Sequence, residues 1–248
     1  MLHTILETAG YFVGFRYFLY LRRRQGDTIS SPKRIWIIIA AIFGSVAGSR
    51  LIGGLEDLAG LQAAFNKPLY FYQNKTVLGG FLGGLLAVEL VKKIIREKHS
   101  SGDLFTYPMI LALMIGRIGC FSMGVYEETY GVRTTLPWGI DLGAKIFRHP
   151  VCLYEIVYLG LVWVTIATIQ RKFILANGAK YKMFMIRYCF FRLMLDFIKP
   201  HYTFSIGLST IQITALLGLI YYADEILHPD KLLENRRLKK MPAVAEGV

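Results

Sequence analysis

Seven ionisable side chains stand inside or at the edges of long apolar runs of this chain: Arg50, Glu89, Arg117, Glu155, Arg187, Arg192 and Asp196. A charge inside a membrane costs roughly 2.5–3.5 kcal/mol on insertion scales, so each of these residues needs a partner or a task. Arg117 lies in "GRIGCFSMGVYEETYG", at the end of the run "LFTYPMILALMIG". A guanidinium is a flat fork of donors matched to phosphate oxygens, and Gly116 and Gly119 permit close backbone approach beside it. The following "VYEETYGVRTTLPWGIDLG" is long enough to cover a site, and Trp138 fits an interfacial anchor. The expected chemistry is the holding of a lipid phosphate at a membrane face.

Glu155 lies one turn inside "RHPVCLYEIVYLG" and has no basic residue at i±3 or i±4. It needs a partner from another helix, and Arg117 or Arg192 is the expected kind. Pro150 suits the first turn of that helix, which puts His149 at its cap, with Tyr154 and Tyr158 one turn apart on one face. In "MFMIRYCFFRLMLDFIKP", Arg192 and Asp196 are spaced i,i+4, so Asp196 is expected to hold Arg192 toward a polar cavity. Lys199 then marks the boundary of the segment and Pro200 its end. Arg50 is a candidate contact or a snorkelling side chain. Glu89 is expected to pair with Lys93, one turn on.

The elements that must position these residues follow from composition. Of 248 residues, 54% are apolar, and the formal net charge is +12. A membrane span needs about 20 mainly apolar residues. Seven runs qualify as candidates, at roughly 5–21, 34–53, 77–95, 104–124, 151–170, 183–198 and 204–223. The third and sixth carry internal charge. They leave no room for a large soluble domain, so residues 1–248 are expected to form one polytopic, all-α integral membrane domain of about seven transmembrane helices.

The basic loops "RRRQGDTISSPKR", "KKIIREKHSSGD" and "RKFILANGAKYK", with the tail's "NRRLKK", place the N-terminus outside and the C-terminus in the cytoplasm. The positive charge then serves topology and attraction to anionic lipid. Binding of nucleic acid is not expected, because the basic residues sit at membrane edges. Arginines follow the first apolar run, as "LYLRRR", so it reads as an uncleaved span. Cys120, Cys152 and Cys189 show no metal-ligand spacing, and neither a metal nor a cofactor is expected. "FGSVAGS" and "LGGFLGGLLAVEL" are expected to let helices approach closely.

"GRIGCF", the later glycine and "YG", "LPWGI" and then "RHPVCLYE" together resemble the signature of the prolipoprotein diacylglyceryl transferase family. "GSVAGSRLIGGL", "GDLFTYPMILALMIGRIG", "RYCFFRLMLDFIKP" and "GLSTIQ" extend the resemblance through most of the chain. The resemblance implies a multi-pass enzyme of the bacterial inner membrane. Such an enzyme moves the diacylglyceryl group of phosphatidylglycerol to the lipobox cysteine thiol of a prolipoprotein signal peptide, and glycerol phosphate leaves. It implies that Arg117 and Arg192 hold the head group and stabilise the leaving phosphate, and that His149, Tyr154, Glu155 and Gly131 occupy motif positions. Catalysis is thus expected at Arg117, Arg192 and Glu155. Substrate binding is expected at Arg117, Gly119, Gly131, Arg50, His149, Tyr154 and Asp196. Cys120 and Leu78 stand where the family has an asparagine and a histidine. Without that histidine, Glu127, Glu128 and Glu155 are the carboxylates left to take a thiol proton. Two other readings fit the same residues: a related lipid transferase with another acceptor, and a non-catalytic phospholipid-binding membrane protein.

Overall fold

The computed structural model describes residues 2–56, 70, 74–126, 129–200, 203–204 and 207–234. Glu127, Glu128 and the basic run "NRRLKK" lie outside the described residues. Each of the seven apolar runs contains a helix: α1 Leu2–Gln25, α2 Ser31–Gly54, α3 Val77–Ile94, α4 Asp103–Met123, α5 Val151–Lys172, α6 Ala179–Asp196 and α7 Thr210–Tyr221. A one-turn α8, Ala223–Leu227, follows α7. Among the described residues, three helical segments are long and apolar enough to cross a bilayer by length and composition: Ser31–Gly54, Asp103–Tyr126 and Val151–Lys172. The last run starts later than its hydropathy suggests because Ser209 caps α7. Its hydroxyl accepts from the Gln212 amide at 3.0 Å, and the Gln212 side chain accepts from the Ser209 amide at 2.9 Å.

The chain is not wholly α-helical. Ile140–Asp141 and Phe147–Arg148 form a short antiparallel hairpin between α4 and α5, with Ile140 opposite Arg148 and Asp141 opposite Phe147. Asp141 Oδ1 accepts from the amides of Gly143, Ala144 and Lys145, which closes the turn.

Small residues set the helix packing. Gly44 and Gly48 of α2 face Gly79 and Gly83 of α3. A Cβ at Gly48 would lie 2.4 Å from Gly79 O, and one at Gly83 would lie 2.4 Å from Gly44 O. The backbones touch, as expected for small residues spaced i,i+4 in membrane helices. Thr76 caps α3 through the Gly79 amide, and its own amide donates to Ser49 O at 3.2 Å. Gly10 and Gly14 likewise seat α1 on Ala112 and Pro108 of α4.

Polarity is inverted relative to a soluble protein. Phe43, Val157, Leu161 and Val164 are more than half exposed, while Arg34, Glu155, Asp196 and Gln212 are at most 2% exposed. An apolar exterior around buried polar groups is what a lipid solvent selects. At one end of the bundle Arg34 pairs with Asp27 and donates to Ser101 O at 3.0 Å. There Asp103 Oδ2 also accepts from the Gly178 amide at 2.8 Å, which ties α4 to the start of α6. The opposite end gathers the N-termini of α5 and α7 with the C-termini of α4 and α6, and it holds the site.

Candidate active site

Glu155 is the hub. It is 1% exposed, and three groups from two other helices converge on it. Tyr188 Oη donates to Oε1 at 2.7 Å. Arg192 Nη1 donates to Oε2 at 3.3 Å. Arg117 Nε stands 2.9 Å from the same Oε2, but its N–H is not aimed at the oxygen, so the contact is an ion pair without a hydrogen bond. One carboxylate therefore serves two guanidiniums, and one positive charge of the three groups is left over. Arg117 is 9% and Arg192 6% exposed. Buried cations held on a single shared acid are preorganised to meet an anion. Lys199, half-buried just past α6, adds a third cation. Burial, then the charges of Arg192 and Arg117, hold its ammonium below the usual lysine range, against the opposing pull of Glu56 and Asp196.

The expected pairing of Arg192 with Asp196 is not what the structure shows. The ion pair of Arg192 runs to Glu155, whereas Asp196 accepts from the Ser209 hydroxyl. The shared i,i+4 face is real, but Ser209 at the start of α7 reaches Asp196, and Glu155 of α5 reaches Arg192. Glu89 pairs with Lys92 at 3.1 Å rather than with Lys93. Gly116 meets no described atom within 4 Å of a built Cβ, so only Gly119 of the flanking glycines makes a close approach.

Around the hub the remaining candidates separate. Gly131 is clamped: its amide donates to His149 O at 3.0 Å, the Val132 amide donates to Ile198 O at 2.8 Å, and a Cβ at 131 would lie 2.5 Å from His149 Cβ. This glycine joins the covering loop to the start of α5 and the end of α6. Tyr154 Oη accepts from Trp138 Nε1 at 2.9 Å and lies 3.1 Å from His149 Nδ1. The indole can only donate, so the tyrosine proton is left for the histidine nitrogen. Tyr158, on the same face, donates to Arg187 O at 2.8 Å. Arg50 lies within electrostatic reach of Tyr11. Arg148 lies with its guanidinium 4.6 Å over the Tyr130 ring. Cys120 and Cys152 line one small pocket with Thr129, Tyr130, Pro150 and Leu142.

Two residues of this end escaped the sequence reading. Tyr188 carries a signal in hindsight, since it precedes Arg192 by one helical turn. Ser209 is flagged by the S-x-x-Q capping pattern in "STIQ".

A helical bundle with an apolar exterior and a buried arginine–carboxylate hub at one end fits a membrane-embedded enzyme. The chain belongs to the prolipoprotein diacylglyceryl transferase family, whose model matches residues 2–224. Similar proteins named phosphatidylglycerol–prolipoprotein diacylglyceryl transferase occur in several bacteria. That of Nitratidesulfovibrio vulgaris (strain Miyazaki F) is 32% identical over 200 residues, covering 76% of this chain and 74% of the relative. That of Cupriavidus metallidurans is 29% identical over 222 residues, covering 82% and 79%. That of Vibrio parahaemolyticus is 28% identical over 205 residues, covering 76% and 71%.

Proposed function

We propose that this chain transfers the diacylglyceryl group of phosphatidylglycerol to the lipobox cysteine thiol of a prolipoprotein signal peptide. A thioether forms and glycerol phosphate leaves. The observation that carries the reading is the gathering of Arg117 and Arg192, from two helices, onto the one buried carboxylate of Glu155. In the reaction the thiol sulfur attacks the glycerol carbon, and the bond from that carbon to the phosphate oxygen breaks. Charge grows on the departing phosphate, where fixed guanidiniums act most strongly. Arg117 and Arg192 are assigned to the phosphate. Glu155, whose oxygens are already taken by Tyr188 and the arginines, acts as the residue that positions them. Gly119 and Gly131 let backbone elements meet, and His149 and Tyr154 with Trp138 form one wall. Asp196 fixes the end of α6 to the start of α7, and Arg50 is assigned to the substrate's approach.

The seven helices are read as seven spans of one polytopic domain, residues 1–248, in a bacterial inner membrane. Arg22, Arg23, Arg24, Lys92, Lys93, Arg171 and Lys172 lie in the last turns of α1, α3 and α5, at the end opposite the hub. That asymmetry supports a cytoplasmic basic end, an external N-terminus and a site open to the outer leaflet. Family membership favours this reading over a phospholipid binder without catalysis.

The test uses the full chain in vesicles containing phosphatidylglycerol, with a lipobox peptide, and mass spectrometry for the thioether. Arg117→Lys keeps the charge but loses the fork, and the rate per folded molecule should fall by about 10²–10³, the usual loss of one preorganised donor. An unchanged rate would remove Arg117 from the phosphate.

A further inference from the structure

Alkylating a thiol requires that its proton go somewhere; Glu127 and Glu128 lie outside the described residues, and the other positions that suggested themselves do not supply the acceptor. Leu78 is fully buried in the apolar core. Glu155 has its oxygens committed to Tyr188, Arg117 and Arg192. Building on the transfer reading above, we propose that His3, at the start of α1, is the base that takes the proton of the incoming cysteine.

The packing of α1 on α4 brings it there. Gly14 and Gly10 rest on the carbonyls of Pro108 and Ala112, where added Cβ atoms would lie 3.1 and 2.9 Å from the two oxygens. Seven residues from Gly10 to His3 advance about 10 Å along the helix, to the level of Gly119. A Cβ at Gly119 would lie 3.3 Å from both His3 Cδ2 and His3 O, so this glycine is the seat of the histidine. His3 Nε2 then lies 3.7 Å from Cys120 Sγ, and Arg117 Nη1 lies 3.7 Å from the same sulfur. The imidazole thus shares a thiol contact with the guanidinium assigned to the leaving phosphate. A second sulfhydryl lying alongside Cys120 has the imidazole within reach while its sulfur faces a glycerol carbon held at Arg117. His3 is half-buried, and so remains approachable.

The step balances. The S–H proton passes to the imidazole nitrogen and the sulfur pair forms the C–S bond. The C–O pair leaves on the phosphate, and the imidazolium returns its proton to the released phosphate or to water. Among the described residues, the charged and titratable groups around His3 include Cys120 and Arg117 of α4, Cys152 of α5 across the pocket it shares with Cys120, and Glu7 one turn along α1. Glu7 is paired with Lys75 at 2.9 Å, with Tyr11 and Arg50 of α2 beyond it.

The test measures kcat/KM against pH in phosphatidylglycerol vesicles for wild type, His3→Gln, and His3→Ala with and without added imidazole. Thermal midpoint and phosphatidylglycerol retention report folding. His3→Gln is expected to lose about 10²–10⁴ near pH 7, the usual share of a positioned base. Its deficit should shrink as pH rises toward the peptide thiol's own pKa of about 8.5, where thiolate forms unaided. Imidazole should restore part of the His3→Ala rate. A wild-type rate and pH profile in His3→Gln would overturn the assignment. So would a folded, lipid-retaining His3→Ala that imidazole does not help. If wild type itself retains the lipid but makes no thioether, the transfer reading fails instead, and the role of His3 fails with it.

Discussion

Glu155→Gln is the sharpest perturbation of the hub, because it removes one charge and changes almost no volume. In the native site Oε1 accepts from Tyr188 at 2.7 Å, and Oε2 faces Arg192 at 3.3 Å and Arg117 at 2.9 Å. A glutamine keeps one acceptor but turns an NH2 toward a guanidinium. Whichever way it sits, either Tyr188 or the two arginines meet a donor instead of an acceptor. Breaking one buried ion pair from one side costs about 3–5 kcal/mol, and here two cations lose the same partner. At about 2–4 °C per kcal/mol for a chain of this size, the thermal midpoint should fall by roughly 6–20 °C. A thiol-reactive fluorophore reads this directly, since Cys120, Cys152 and Cys189 are all buried thiols and become reactive on unfolding. Activity per folded molecule should fall by about 10²-fold, the effect of a displacement near 1 Å on a positioned group. Glu155→Asp, with the charge kept but the reach shortened, should fall between. A Glu155→Gln protein with an unchanged midpoint and near-normal activity would show that neither arginine depends on this carboxylate, and the hub argument would fail.

Gly48→Leu should prevent correct insertion or lower the midpoint by more than Glu155→Gln does. A Cβ there meets backbone of α3 at 2.4 Å, and backbone cannot move aside as a flexible side chain can; the same melting assay checks it. At the basic end, burial raises the Asp27 carboxyl, but the bonds and charge of Arg34 and the Ile29 amide outweigh it and hold the group below its usual range. The bonds from His99, then Lys33, bring Glu97 down to about 2. Both folded values lie below the unfolded ones, so the stabilisation is complete above about pH 4.3 and lost as pH falls through the folded values. Wild type should lose midpoint as pH falls from roughly 4 toward 2, and Asp27→Asn should flatten that decline.

What was legible in the sequence depended on how local the signal was. The glycine pairs of α2 and α3 announced close packing because small residues at i,i+4 need no partner sequence to be read. Glu155 announced a cross-helix partner because its own helix offered none. The choice between Arg192–Asp196 and Arg192–Glu155 was not legible. Residues 188, 192 and 196 share a face, and only the meeting of α5, α6 and the Ser209 cap decides which acid each donor finds. The hairpin at Ile140–Asp141 and Phe147–Arg148 is two residues a side, too short to show an alternating pattern. His3 carried no spacing signal at all. It acquires meaning only when Gly10, Gly14 and Gly119 bring two distant segments into contact.

That contrast has a physical cause that bears on how the site works. Inside a bilayer, helices gain little from hiding apolar surface from one another, and association rests on close packing and polar contacts. In this chain the two are divided along the bundle. Backbone-to-backbone seating of α1 on α4 and α2 on α3 is made by glycines that carry no chemistry. The charged hub sits at the ends of α4, α5 and α6 and, among the described residues, offers two guanidiniums to a single acid. An incompletely neutralised cluster is a poor way to hold helices together, because the unmatched charge must be hydrated or met by an anion. The glycine seams relieve it of that duty. The arginines can therefore stay under-compensated until an anion arrives, and phosphatidylglycerol should raise the thermal midpoint of wild type more than that of Arg117→Lys or Arg192→Ala. Equal stabilisation of all three by the lipid would mean that the hub is a structural clamp already complete without its ligand.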